Sequence, residues 1–105
     1  MLDQAGRLPT KAEFASVVGS AFIANTSDGA ELELRLIALN DSSSEVQETY
    51  TLEFLAPLEM PSVQGTYRLV NEEVGDFELF LVPYKKDVSG LYFEVVFNRF
   101  IELVK

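Results

Sequence analysis

TYTLEF, at residues 49–54, alternates polar and apolar side chains with a period of two: Tyr50, Leu52 and Phe54 fall on one side, Thr49, Thr51 and Glu53 on the other. A strand shows successive side chains to opposite faces, so this pattern describes a half-buried β-strand with one wet face. The same period appears upstream in ELELRL, 31–36, where Leu32, Leu34 and Leu36 alternate with Glu31, Glu33 and Arg35. Downstream, Tyr67 and Leu69 resume it, and Phe77, Leu79 and Leu81 follow with Asp76 and Glu78 between them. Leu91, Phe93, Val95 and Phe97 close the series. About six strands separated by short turn signals predict an all-β domain, either a small antiparallel β-barrel or a two-sheet sandwich.

The punctuation between strands specifies hairpins. Asp28-Gly29 predicts a tight type I′ turn, and Asn71 to Gly75 a second turn. Asn40 to Ser44 reads as a polar loop, and Pro57 and Pro61 exclude a central strand from Ala56 to Gln64. Leu79-Phe80-Leu81-Val82 is apolar on both faces, which predicts cover on both sides, with Pro83 ending the strand and a loop from Tyr84 to Gly90. Residues 91–104 form a run too long for an ordinary strand, so a bend is expected at Asn98-Arg99. The tail Phe100 to Lys105 carries four apolar side chains and is expected to pack, on its own sheet or on a second subunit.

The N-terminal part has a different period. Thr10-Lys11-Ala12-Glu13 is a capping-box pattern, and Phe14, Val17 and Val18 follow helical spacing until Gly19. This predicts one short helix near 10–18, a plug over an open end of the β-core. A single domain over residues 1–105 is expected from the length.

Composition narrows the chemistry. The chain has no Cys and no His, which removes disulfides, thiolate metal sites and the commonest general base. Seventeen acidic against eight basic residues give a formal net charge of −9, the wrong sign for gripping nucleic acid or anionic lipid. Residues 1–13 lack the basic start and apolar core of a secretory signal, and no window is apolar over the roughly 20 residues of a membrane helix. The expected compartment is the cytoplasm.

Four groups could carry function. Glu72, Glu73 and Asp76, with Asn71 as a neutral oxygen donor, lack the ligand spacing of a calcium loop and read as solvated turn charges. Glu31, Glu33, Glu53, Glu78 and Glu94 fall where an outward strand face places charge, and a hydrolytic carboxylate pair among them would need a cleft. Lys85-Lys86 is the one paired basic site. Asn25 and Asn40 open glycosylation sequons without a secretory context, and Tyr50 and Tyr67 line either a packed core or a ligand cavity.

Four phrases, TLEFLAP at 51–57, VQGTYRL at 63–69, VGDFELFLVP at 74–83 and YFEVVFNR at 92–99, resemble a bacterial family of small domains of unknown function. The chain departs from that family's pattern at Leu55-Ala56 and at Asn71. Such domains look similar to accessory proteins encoded beside phage-tail-collar-like proteins, and the resemblance implies a role in a tail-like assembly. It carries over no catalytic, cofactor-binding or metal-binding residue. The expectation is therefore a non-enzymatic interaction or assembly module without cofactor, binding a protein partner or another copy of itself, in the cytoplasm or in a tail-like particle. The alternatives are a small-ligand-binding barrel and a carboxylate-based hydrolase.

Overall fold

A computed structural model describes residues 8–100. After helix α1 (Lys11–Ser16) come six strands: β1 (Ala21–Asn25), β2 (Glu31–Asp41), β3 (Gln47–Ala56), β4 (Gly65–Asn71), β5 (Gly75–Asp87) and β6 (Gly90–Phe100). Every pairing is antiparallel, and the order β1-β2-β3-β6-β5-β4 closes on itself through Ile23–Asn25 of β1 against Arg68–Val70 of β4. The six strands therefore form a single sheet closed into a ring, not two stacked sheets.

The alternation legible in the sequence is the inner lining. Phe22, Leu34, Leu36, Leu52, Phe54, Leu69, Leu81 and Phe93 are fully buried, and Tyr50, Phe77, Leu79, Leu91 and Val95 nearly so. Phe22 stands edge-on to Phe54 and Phe77, with ring centroids 5.3 and 6.1 Å apart, so aromatic side chains occupy the centre. Each such side chain contributes about 1.5–3 kcal/mol through burial.

Both ends of the ring are covered. The connection from β3 to β4, residues 57–64, joins strands on opposite sides of the ring and drops Met60, 3% exposed, over one mouth. Helix α1 covers the other. Its capping box forms as expected: the Glu13 backbone N–H donates to the Thr10 hydroxyl at 3.1 Å, and the Thr10 N–H donates to the Glu13 carboxylate at 2.8 Å. Phe14, fully buried, is the plug.

Several local expectations are corrected. The helix stops at Ser16, because the Val17 N–H bonds back to the Phe14 carbonyl in a tight turn and the Gly19 N–H is taken by Leu36 of β2. Val18 is consequently exposed. The Asp28-Gly29 turn is not type I′: among the described residues only glycines have positive φ, so Asp28 cannot supply the first left-handed residue. Instead Gly29 donates to the Thr26 carbonyl, Thr26 pairs with Ala30, and Gly29 at φ 91° supplies the single left-handed position of a three-residue hairpin loop. The Asn71–Gly75 hairpin forms where expected.

Pro83 does not end its strand. β5 runs on to Asp87 through a bulge, since the register jumps from Pro83↔Phe93 to Lys85↔Tyr92, and a bulge is where a residue without an N–H is tolerated. The expected loop from Tyr84 to Gly90 shrinks to Val88-Ser89, and Lys85-Lys86 lies on the strand. There is no bend at Asn98-Arg99 either. β6 pairs with β3 without interruption from Leu91↔Ala56 to Phe100↔Gln47, and this cross-strand pairing supports a strand of unusual length. Asn98 accepts from Gln47 Nε2 at 2.5 Å and from the Thr49 hydroxyl at 3.2 Å, tying the two strands together. The expected packing of the tail concerns residues 101–105, which lie outside the described residues; Phe100 itself is exposed.

Candidate interaction surface

The site grows from a mismatch between two ladders. β5 pairs with β4 from Gly75 to Leu81, and with β6 only from Val82 to Asp87. β6 meets β5 over Gly90 to Glu94, while its whole length pairs with β3 on the other side. Below Val82↔Glu94 the two strands fork, and among the described residues no registered pair joins Gly75–Leu81 to Val95–Phe100. The inner side of this fork is filled by Phe14, whose ring lies 5.8 Å from Phe77 of β5 and 5.7 Å from Phe97 of β6. Its outer side carries apolar side chains. Phe80 is 51% exposed and Val96 60%, and continuing the Val82↔Glu94 register by two residues sets them opposite each other. The expectation that Leu79–Val82 is covered on both faces is thus corrected: Leu79 and Leu81 are buried, Phe80 is not.

Above the fork the same outer face turns polar and aromatic. The bulge leaves Tyr84 unpaired in register and aims its hydroxyl at Glu53 of β3, donating at 2.7 Å. The other oxygen of Glu53 accepts from Asn40 Nδ2 at 2.7 Å. Desolvation first, then this hydrogen bond to a carboxylate, push the Tyr84 phenol well above its ordinary value, so it stays a donor. Glu53 faces Glu94 directly across the β3–β6 ladder, two like charges whose repulsion is partly answered by the Tyr84 and Asn40 donors. Lys85 Nζ sits 4.6 Å from the centre of the Tyr92 ring, and Tyr92 lies 6.1 Å from Tyr84. Exposed Phe80 and Val96 flanked by Tyr84, Glu53, Glu94 and Glu78 thus form an apolar strip with an acidic rim.

The structure disperses the residues singled out in the sequence. Asn71 is engaged within the chain: it is 4% exposed, its amide donates to the Ser20 hydroxyl and Ala21 carbonyl at 3.1 and 2.9 Å, and its oxygen accepts from the Glu73 and Val74 N–H groups. Asp76 is engaged by Arg68 through Nε at 2.8 Å and through a second guanidinium nitrogen, which holds its carboxyl below the usual range. Asp28, lowered chiefly by the Thr26 hydroxyl, and Asp41, lowered to about 2 by Lys11 and Ser43, are likewise held as anions. A general acid needs the opposite shift. Among the described residues no cluster of three or more acidic side chains is placed to hold a metal ion.

Two surface clefts accompany the ring. One of about 310 Å³ lies beside the helix, lined by Leu8 to Lys11, Glu48 and Tyr50 with the end of β6; the other, about 290 Å³, lies at the opposite mouth between Asn25–Ser27 and Val63–Tyr67. Tyr50 stacks on Phe97 at 4.6 Å and Tyr67 donates its hydroxyl to the Val63 carbonyl at 2.6 Å, so both tyrosines serve packing. The fork was legible only in part: the parity that buries Phe77, Leu79 and Leu81 itself puts Phe80 outside, but nothing in the sequence marks where β5 and β6 part.

A family model described as a domain of unknown function (DUF6916) matches residues 9–97. No curated protein and no solved structure matches the chain. Among the described residues no helix is long and apolar enough to cross a membrane.

Proposed function

From the premise that the chain belongs to the family of domains of unknown function DUF6916, we propose that it is a non-enzymatic interaction module that binds a protein partner through the outer face of the β5–β6 fork. The observation that carries this reading is the pairing of two features at one place: exposed apolar side chains at Phe80 and Val96, and strand edges left without a ladder partner among the described residues. Sheet edges accept partner strands, and apolar patches on an otherwise charged surface mark contact sites. The interior favours this reading over a ligand-binding barrel, since the inward aromatics pack against one another where a ligand would sit.

The finer reading, an accessory protein of a phage-tail-like particle, rests on the resemblance of the four sequence phrases. It assigns the partner to a collar-like tail protein encoded next to this one, and the working location to the cytoplasm before assembly.

The test compares three tagged forms in the native cell: wild type, Val96→Lys on the fork, and Glu33→Lys on β2, across the ring from β5. A stoichiometric partner kept by wild type and Glu33→Lys but lost by Val96→Lys is the expected result. A partner held equally by all three overturns the surface, and absence of any stoichiometric partner overturns the module.

A further inference from the structure

We infer that the occupant of the β5–β6 fork is an extended, cationic segment of a different protein, with basic and aliphatic side chains in alternation, bound as an added strand along β6; this deepens the interaction reading and rests on it. Three observations converge. First, β6 over Val95–Phe100 is paired in register with β3 on one side and, among the described residues, has no registered partner in β5 on the other. A strand bonded on one side offers alternate N–H and C=O groups on the other, the requirement for strand addition.

Second, the outward-pointing side chains of an added strand along β6 would lie against Val96 on the side of the face that also carries Phe80, both more than half exposed. Those pointing inward would meet Phe14, Phe77 and Phe97, which already fill that side. Small or aliphatic side chains therefore suit the inner positions.

Third, the rim selects charge. Glu94 and Glu53 face each other across the β3–β6 ladder, and Glu78 is exposed on β5 two residues from Phe80. Against them stand Arg68, opposite Glu78 on the β4–β5 ladder and paired with Asp76, and Lys85, which is occupied by the Tyr92 ring and, at 3.8 Å, by Asp87. Two copies of this face brought together would set Glu53, Glu78 and Glu94 of one against those of the other, in a chain already at −9. Like charges opposed at an interface are penalised, so the rim argues against a second copy and for a basic partner.

The test uses three synthetic seven-residue peptides, one alternating Lys with Val, one alternating Glu with Val, one alternating Lys with Ser, titrated into the isotope-labelled full chain at low salt. The expected result is saturable binding of the Lys/Val peptide only, with amide shifts concentrated on residues 76–80 and 95–99. Glu94→Lys and Val96→Lys should each weaken it at least tenfold while keeping the wild-type fold by circular dichroism, and Glu33→Lys should not. Equal shifts from the Lys/Ser peptide, spread over the acidic surface, would show unspecific attraction and overturn the inference. So would the absence of saturable binding, or a wild-type dimer that Val96→Lys dissociates. If the peptides fail while a native partner is still lost with Val96→Lys, the strand chemistry is wrong and the interaction surface stands; if that partner is insensitive too, both fall.

Discussion

Phe14, on the short helix, and Phe97, near the end of β6, meet with ring centroids 5.7 Å apart, although 83 positions separate them in the chain. The contact closes the inner side of the fork, so the ring keeps a sealed core although, among the described residues, the β5–β6 ladder stops at Val82↔Glu94. Truncating Phe14 would remove the plug and open a cavity that the surrounding strands cannot collapse into. Phe14→Ala should cost about 3–5 kcal/mol, as should Phe54→Ala at the centre of the ring. Chemical denaturation of the two variants checks this; wild-type midpoints would mean that the helix does not seal the ring.

Asn71 is the one buried polar side chain among the described residues, and all four of its hydrogen bonds are to groups within the chain. Asn71→Ala should destabilise by about 1–3 kcal/mol, because the Glu73 and Val74 N–H groups lose their acceptor and the start of β1 loses its donor. Asn71→Asp keeps the acceptor and loses the donor, and is expected to fall between the two. Melting curves of the pair decide.

Gly90 has φ 147°, and a Cβ there would lie 2.2 Å from the Ala56 carbonyl oxygen, a backbone atom fixed in β3. Gly90→Ala should therefore cost well over about 1 kcal/mol, more than an ordinary strand substitution. A variant as stable as wild type in urea would show that the β5–β6 hairpin can shift to make room.

Asp41 has its carboxyl lowered to about 2, first by the hydrogen bond from Lys11 at 2.7 Å and then by Ser43. A depressed carboxylate stabilises the fold above its unfolded value near 3.9, and that contribution disappears as pH falls from there through about 2. Carboxyl-carbon NMR titration should find the Asp41 midpoint near 2 in wild type and closer to its ordinary value in Lys11→Met. An unchanged midpoint would mean that the ion pair does not hold the helix to the end of β2.

Much of this fold can be read from the sequence, and the failures share a cause. Tyr50, Leu52 and Phe54 or Phe77, Leu79 and Leu81 declare their faces because burial follows the period of the strand. Pro83 and Asn98-Arg99 misled because a local rule about prolines and strand lengths says nothing of the partner strand. β6 is long because β3 matches it residue for residue, and β5 survives Pro83 because a bulge absorbs it. The candidate surface was less legible still. Phe80 and Val96 stand out only once two strands are seen to part, and ladder ends are set by the whole ring rather than by the residues beside them.

The central claim is that β6 has an open edge beneath the fork, and residue-by-residue amide hydrogen exchange along Val95–Phe100 tests it most directly. Alternate residues of an antiparallel strand direct their N–H groups to opposite neighbours. The account predicts a two-residue rhythm in the free protein: slow exchange at the amides bonded to β3, and fast exchange at those between them that face the fork. Uniformly slow exchange from Val95 to Phe100 would mean that the edge is already satisfied within the chain, and would contradict the account.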